Sequence, residues 1–306
     1  MHGHLRDSTD AGSTWVSDHG AIVRVTRAAV ASALAAATVS FAAGCGGSSS
    51  GPAVPTVAPA KTYRLRGFTP TGPVAAGKPT TVGLTILQPS GAPLTRYRTG
   101  AGPHTGVDLI IVPSDLRALY YEDPAIQKDG SLHQTMSFPA PGRYRVVVDA
   151  FPAVPGVPSN LQLYTTVVVT GGKRTPTPTF GLSAVDDGYR FRILGHPALK
   201  ALEPSYLVMT VTDPRGRPVT FTAFDGAVAH AIFFREGSLD YIHTHICAPN
   251  APACASAVKG PAGGATGNGR FRIGVLLPVS GTWRMFLRTK IDGVERVTPF
   301  TLHAAG

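Results

Sequence analysis

Short apolar runs alternate with polar turn sequences along residues 61–303, and this pattern predicts β-strands. In the first half of the chain the runs include residues 81–87, 107–112 and 163–169, separated by turns rich in Pro, Gly and Asp. β-Branched and aromatic residues are frequent in these runs, and their spacing is typical of an antiparallel β-sandwich. No long helical period appears in this part of the sequence. The pattern predicts an all-β fold.

The second half of the chain repeats the pattern of the first. FPAPGRYRVVVDA at 138–150 aligns with LPVSGTWRMFLRT at 277–289, and VDLIIVPSDLRALY at 107–120 aligns with AHAIFFREGSLDYI at 229–242. Such internal similarity indicates a duplicated structural unit. We therefore predict two tandem immunoglobulin-like β-sandwich domains. The predicted domains span residues 61–170 and 181–306, with a Pro-containing linker at 171–180.

The N-terminal segment is typical of an export signal. Arg24 and Arg27 precede an apolar run of small residues at 28–43, which is too short to span a bilayer. We predict that residues 1–44 form a signal peptide with an extended N-terminus. Residues 45–60, rich in Gly, Ser and Pro, are predicted to form a flexible tether.

The end of the signal segment, Ala42-Ala43-Gly44-Cys45, resembles a bacterial lipobox. The resemblance implies that Cys45 becomes the first mature residue and carries lipid, since acyl chains hold such a protein at the membrane surface. The protein is then extracytoplasmic, anchored to the cell membrane, and placed to meet an envelope protein partner. The alternative is a plain secreted protein whose mature chain begins near Cys45.

The charge distribution narrows the function classes. The formal net charge is +10, but Lys and Arg are scattered and no run of five or more basic residues occurs. This distribution predicts a solvated basic surface and argues against nucleic-acid binding. Three cysteines are too few for a disulfide-scaffolded miniprotein.

Three histidines are the strongest candidates for a binding site. His230, His243 and His245 lie on two predicted strands that a two-residue turn at Glu236-Gly237 joins. This turn pairs His230 directly with His243, and strand alternation puts His245 on the same face. Three imidazoles on one face could hold copper or zinc. The alternative is a structural role, in which the rings are solvated or bonded to carbonyl groups.

In the first repeat the same positions hold different residues. Asp108, Tyr121 and Asp123 take the places of the three histidines, and the equivalent turn pairs Asp108 with Tyr121. Carboxylates suit a hard cation better than copper or zinc, so we predict a structural copy without the site. His104 lies close by in the preceding loop.

The sequence VAHAIFFREGSLDYIHTH at 228–245, followed by FRIGVLLPVSGTWRMFLR at 271–288, resembles bacterial extracytoplasmic immunoglobulin-like modules of the YtkA-like kind. The resemblance implies metal handling, copper especially, with the three histidines as the positions that carry over. Ile246 stands where these modules usually have Pro after the His-x-His pair.

Two cysteines flank a short Pro-containing loop at 247–254. In an exported chain we expect Cys247 and Cys254 to form a disulfide, which would contribute about 2–3 kcal/mol in a chain-entropy model. The alternative is a Cys247 thiolate that joins the histidines as a copper ligand, because Cys247 lies two residues after His245.

Complete catalytic signatures are lacking in the sequence. His-Glu-x-x-His does not occur, and residues 237–245 match only the first half of a cupin signature. We predict a membrane-anchored lipoprotein that is not an enzyme and that binds copper or zinc for storage, delivery or sensing. One alternative is a structural or protein-interaction envelope lipoprotein without metal. The third interpretation is a metal-dependent oxidoreductase.

Overall fold

The computed structural model describes residues 62–100, 102, 104–247, 263–266 and 268–306, and residues 58–306 form one compact unit. Every regular element within these described ranges is a β-strand. No helix in the described part of the chain is long and apolar enough to cross a membrane. The predicted signal peptide, the lipidation site Cys45 and the tether lie outside the described residues.

The first sandwich consists of two sheets packed face to face. Its strands are β1 (Arg64–Thr69), β2 (Val74–Ala75), β3 (Pro79–Leu87), β4 (Val107–Pro113), β5 (Tyr120–Glu122), β6 (Ala125–Ile126), β7 (Ser131–Ser137), β8 (Gly142–Ala150) and β9 (Leu161–Thr170). One sheet has the order β1-β3-β7-β6 and the other β2-β9-β8-β4-β5. Alternate residues from both sheets, such as Leu84 and Val146, form one buried core.

The second sandwich has ten strands hydrogen-bonded in one series. They are β10 (Ser183–Asp186), β11 (Tyr189–Ile193), β12 (Leu199–Lys200), β13 (Ser205–Thr212), β14 (Ala229–Arg235), β15 (Tyr241–Cys247), β16 (Gly263–Thr266), β17 (Arg270–Val275), β18 (Gly281–Ile291) and β19 (Val294–Ala305). The order is β10-β11-β13-β17-β16-β15-β14-β18-β19-β12. The series folds over at β16, so that β11, β13 and β17 share one core with β14, β18 and β19.

The two sandwiches have the same strand order. β1, β3, β7 and β6 correspond to β11, β13, β17 and β16, while β2, β9, β8, β4 and β5 correspond to β12, β19, β18, β14 and β15. The prediction of an all-β fold with two β-sandwich domains is confirmed. The second sandwich differs by the additional strand β10 and by the parallel pairing of β15 with β16, which joins its two layers.

Equivalent aromatic side chains anchor the two cores. Tyr144 on β8 is 1% exposed and Trp283 on β18 is 0% exposed. Each donates a hydrogen bond to a carbonyl four residues earlier, Tyr144 Oη to Ala140 O at 2.9 Å and Trp283 Nε1 to Val279 O at 3.1 Å. The bond satisfies the polar end of a ring whose remaining surface is packed in the core.

The two sandwiches also pack against each other, through the outer faces of their central strands. β4 is buried along its whole length, and β14 along all but its last residue, because the face turned away from each core meets the other sandwich. This interdomain cluster consists of Ile110, Val112, Leu116, Leu119, Val147, Ile232, Phe234, Leu239, Tyr241 and Phe286. A continuous apolar run is the expected sequence of a strand buried on both faces.

The linker between the sandwiches is bonded to the first of them. Arg117 donates from Nη2 to Thr175 O at 2.8 Å and from Nη1 to Thr175 Oγ1 at 2.7 Å. Asp115 accepts hydrogen bonds from Arg117 and from Thr177 Oγ1, the latter at 3.0 Å. These bonds tie the linker to the loop between β4 and β5.

Candidate metal centre between the two sandwiches

The histidine hairpin, β14 and β15, is shifted in register from the prediction. His230 lies directly opposite His245, and Ile232 lies opposite His243. The predicted pairing of His230 with His243 is therefore wrong. The shift is two residues, and a shift by an even number leaves every side chain on its face. All three histidines thus share the face that Ile232 contributes to the interdomain cluster.

The register differs because the turn is longer than predicted. Arg235 N donates to Asp240 O, and Leu239 N donates to Arg235 O, both at 3.0 Å. Residues 236–239 therefore form a four-residue loop in place of the two-residue turn. Leu239 adopts a positive φ of 59°, a conformation that sequence patterns assign to Gly or Asn.

The three imidazoles converge in a buried site. His230 is 1% exposed and His245 is 6% exposed. His230 Nδ1 lies 3.3 Å from His243 Nε2, and the ring centroids of His243 and His245 are 4.4 Å apart. One ligand atom from each histidine lies within 4.8 Å of the other two. The structure therefore brings together the three histidines singled out in the sequence.

One of these distances matches a tetrahedral metal site. Zinc–nitrogen bonds of about 2.0–2.1 Å at tetrahedral angles place two ligand nitrogens roughly 3.3 Å apart, which matches the separation of His230 Nδ1 and His243 Nε2. His230 Nε2 lies 3.3 Å from Phe224 O and donates there, because a carbonyl oxygen can only accept. The neutral ring of His230 then keeps its lone pair on Nδ1, the atom that faces the site.

His245 places an unsatisfied nitrogen in the same site. Its Nε2 is buried and has no hydrogen-bond partner among the residues that the structure describes. An unsatisfied buried group of this kind costs about 1–3 kcal/mol. Burial, followed by the neighbouring charge of His243, lowers the pKa of His230 and of His245. Both rings are therefore neutral at neutral pH, and neutral imidazole is the form that binds a metal ion.

The first sandwich forms the opposite wall of the site. Asp149 on β8 is 1% exposed, and its Oδ2 accepts a hydrogen bond from Tyr241 Oη at 2.8 Å. The same oxygen lies 3.8 Å from His243 Nδ1, and Asn160 donates to the other oxygen. A carboxylate behind a ligating imidazole orients the ring and raises its basicity. Asp149 suits this supporting role because both of its oxygens already accept hydrogen bonds.

The interface contains two equivalent contacts, one in each direction between the sandwiches, and different residues form them. Asp149 and Arg288 occupy matching positions on β8 and β18, as do Tyr121 and His243 on β5 and β15. The Arg288 guanidinium lies 3.6 Å over the Tyr121 ring. His243 thus faces Asp149 as Tyr121 faces Arg288. One half of the interface carries a candidate metal ligand, and the other half carries a cation–π pair.

The first repeat has its own buried carboxyl group at the position of His230. Ile110 lies opposite Tyr121, so the predicted pairing of Asp108 with Tyr121 is wrong. The register is shifted by two residues, as in the histidine hairpin. In this hairpin Leu116 has the positive φ, 53°. Burial raises the pKa of Asp108 well above its usual range. A hydrogen bond from Tyr121 lowers this pKa, and the negative charges of Asp149 and Asp123 raise it further. A carboxyl group that favours its proton is a poor cation ligand.

The raised pKa of Asp108 gives a pH-dependent prediction. The folded chain keeps a proton on Asp108 that the unfolded chain loses above about pH 3.9. Stability therefore falls as the pH rises from that value towards the raised pKa of the folded state. We expect Asp108→Asn to raise the urea midpoint at pH 7 and to leave it nearly unchanged at pH 3.5. An Asn amide can still donate to Asp123 and accept from Tyr121.

The matched control for this prediction is Glu203→Gln, at a side chain that is 63% exposed. It should shift the urea midpoint little at either pH. A lower midpoint of Asp108→Asn at pH 7, with no pH dependence of the difference, would contradict a protonated Asp108.

A cavity of about 120 Å³ opens beside His243 and His245. The first sandwich supplies the rest of its lining, Arg98, His104, Asp149, Phe151, Ser159, Asn160 and Gln162. Burial, followed by the neighbouring charges of His243 and Arg98, lowers the pKa of His104. Asp149 was not identified as a site residue from the sequence, and His104 was noted only for its proximity.

The cysteine predictions remain predictions. Cys247 is the last residue of β15, but its side chain is outside the described part of the structure. Cys254 lies outside the described residues altogether. Neither the disulfide nor the alternative copper thiolate is therefore tested by the structure.

The fold and site together define a tandem β-sandwich protein with a histidine cluster at the interface of its two halves. Residues 183–306, the second sandwich, match a domain of unknown function, DUF8832. The match covers the three histidines and excludes the first sandwich. No curated protein matches the chain.

Several solved structures are distantly similar to the chain. Alpha-2-macroglobulin of E. coli in its native conformation is 10% identical over 81% of this chain and 14% of that chain, with a TM-score of 0.26. Invasin, a bacterial integrin-binding protein, is 14% identical over 80% of this chain and 39% of that chain, with a TM-score of 0.22. The fibronectin(III)-like modules of Clostridium thermocellum CbhA are 9% identical over 80% and 94%, with a TM-score of 0.20.

Proposed function

We propose that the protein binds one copper or zinc ion through His230, His243 and His245. The observation that supports this most strongly is the convergence of three buried imidazole rings whose ligand atoms lie within 4.8 Å of one another. The 3.3 Å separation of His230 Nδ1 and His243 Nε2 matches a tetrahedral centre. Imidazole suits zinc and copper among the transition metals, so three imidazoles support either of these two metals without choosing between them.

The surrounding residues prepare the three histidines for a metal ion. Phe224 O accepts from His230 Nε2 and so leaves the lone pair of Nδ1 facing the other two histidines. Asp149 lies behind His243 Nδ1, at 3.8 Å. The interdomain cluster covers the site on one side and limits water around the ligands. Burial lowers the pKa of His230 and of His245, so these two neutral rings bind a metal without first having to lose a proton.

We further propose that the protein acts as a membrane-anchored extracytoplasmic lipoprotein that stores, delivers or senses this metal. The lipobox-like sequence ending at Cys45 supports the anchor, and the resemblance to YtkA-like modules supports metal handling. Feeding cells a labelled fatty acid tests the anchor, since a Cys45→Ala chain should lose the label that the natural chain carries. Equal labelling of both chains would remove this part of the proposal.

The metal site is tested by titrating the chain from residue 46 onward, which keeps the whole compact unit 58–306. We expect one equivalent of zinc or copper per chain. A His243→Ala, His245→Ala double variant should bind at least about 100-fold more weakly, since the loss of even a supporting residue around a metal costs about tenfold or more. Isothermal titration and metal analysis after gel filtration measure both quantities.

The matched control is His196→Ala together with His303→Ala, two exposed histidines of the same sandwich. This variant should bind as the natural chain does. Stoichiometric binding that survives in the first double variant would place the metal elsewhere. No stoichiometric binding to the natural chain would leave a structural or protein-interaction lipoprotein, in which the histidines only pack the interface.

A further inference from the structure

His104 is held next to the histidine site by the backbone of the first sandwich. The loop that carries it is closed by hydrogen bonds from Gly106 N to Arg98 O at 2.9 Å and from Phe151 N to Gly106 O at 3.1 Å. The His104 ring packs edge-on against Phe151, with centroids 5.4 Å apart. The loop therefore holds the ring against its own sandwich rather than leaving it in solvent.

The same ring meets the histidine cluster of the second sandwich. The centroids of His104 and His245 are 4.8 Å apart, with an angle of 83° between the ring planes. Both side chains line the cavity of about 120 Å³ that also contains His243. His104, His243 and His245 thus line one small cavity, and the fourth imidazole, His230, belongs to the ligand set of His243 and His245.

Two of these four rings present a buried nitrogen that lacks a partner. His104 Nε2 and His245 Nε2 both have no hydrogen-bond acceptor or donor within the described ranges of the chain. Nearly all buried polar atoms in folded proteins are satisfied. Two unsatisfied nitrogens on adjoining rings, one from each sandwich, therefore indicate that a ligand belongs between them.

We propose that His104 is the fourth ligand of the metal site, so that one zinc or copper ion bridges the two sandwiches. The inference rests on the metal-binding function proposed above, whose three histidines leave the fourth position of a tetrahedral centre open. Asp149 also lies near His243, but its two oxygens already accept hydrogen bonds from Tyr241 and Asn160. His104 brings a donor atom that is not yet used. This atom lies outside the set of ligand atoms within 4.8 Å of one another, so the His104 ring must move towards the other three when the ion binds.

The proposal has a structural consequence. The His230–His243–His245 set lies on one hairpin, so three ligands alone would bind metal without engaging the first sandwich. A fourth ligand from the 98–106 loop makes the bound ion a crosslink between the sandwiches. Binding would then stabilise the interdomain interface in addition to the hairpin, because a ligand stabilises whatever structure its site requires.

The experiment is X-ray absorption on the zinc-loaded chain from residue 46 onward, which counts imidazole ligands directly. We expect four imidazoles in the natural chain and three imidazoles plus one oxygen in His104→Ala. Zinc affinity of the variant should fall at least about tenfold. His133→Ala, which removes an exposed histidine of the same sandwich, should keep four imidazoles and the natural affinity.

Each result decides one question. If the zinc bound to the natural chain has three imidazole ligands, the inference is overturned, whether or not His104→Ala folds. The proposed metal-binding function would then stand, with water as the fourth ligand. Unchanged affinity and spectrum of a folded His104→Ala chain would overturn it as well. Failure of the natural chain to bind zinc or copper would instead end the proposed function on which the inference rests.

Discussion

Replacing Trp283 with alanine should lower the free energy of unfolding of the second sandwich by about 3–5 kcal/mol, the usual cost of removing a large buried aromatic side chain. Trp283 is 0% exposed and belongs to the core that joins both layers of this sandwich. Its loss leaves a cavity and also frees Val279 O, which accepts the Nε1 hydrogen bond at 3.1 Å. Urea denaturation followed by circular dichroism measures the change.

The control for this variant is Val294→Ala, at a position that is 52% exposed. It should change stability by less than about 0.5 kcal/mol, as is usual for surface positions. Tyr144→Phe tests the equivalent place in the first sandwich, where only the hydroxyl bond to Ala140 O is lost, and should cost about 1 kcal/mol. A loss below 1 kcal/mol for Trp283→Ala would mean that this ring does not anchor the core.

The strands and the duplication were predictable because both follow from local patterns. Alternation with β-branched and aromatic residues marks a strand, and the aligned Pro-x-x-Gly-aromatic segments fall on β8 and β18 in equivalent places. That the three histidines share a face was also predictable, since it depends only on the two-residue repeat of a strand. These features need no knowledge of what lies far away in sequence.

The hairpin registers were not predictable from the same patterns. Both turns use a leucine with a positive φ, Leu116 at 53° and Leu239 at 59°. A positive φ is unusual for leucine, so the sequence favoured a short turn around the nearer glycine or aspartate. The error is an even number of residues in each hairpin, which explains why the faces were right while the facing partners were wrong.

The wall of the site contributed by the first sandwich could not be found locally either. Asp149 and His104 meet His243 and His245 only because two outer sheet faces pack together, and no spacing rule connects residues so far apart. One signal was present in the sequence. β4 and β14 each contain consecutive apolar residues, 109–113 and 231–234, which is typical of strands buried on both faces, and this pattern indicates that something covers each outer face.

Introducing an aspartate at Ile232 should separate the two sandwiches while leaving each one folded. Ile232 is 0% exposed and packs in the interdomain cluster with Ile110 and Val147 from the first sandwich. A carboxylate there is surrounded mainly by apolar side chains, with only the His243 imidazole directly opposite it among its strand partners on β15, and its burial costs several kcal/mol. The core of the second sandwich lies on the other face of β14 and is not touched by the change. The least costly response is therefore to open the interface and hydrate the charge.

Small-angle X-ray scattering should show a larger radius of gyration for Ile232→Asp, and proteases should cleave the linker at 171–180 faster than in the natural chain. Val185→Asp is the matched control, because Val185 is 69% exposed on the same sandwich, and it should leave both measurements unchanged.

The three histidines remain on one hairpin in the opened chain, so metal binding should persist but weaken at least about tenfold as the wall formed by Asp149 and His104 moves away. Scattering and cleavage equal to those of the natural chain would show that this cluster does not hold the sandwiches together. Unchanged metal affinity in a demonstrably opened chain would show that the hairpin binds the ion without help from the first sandwich.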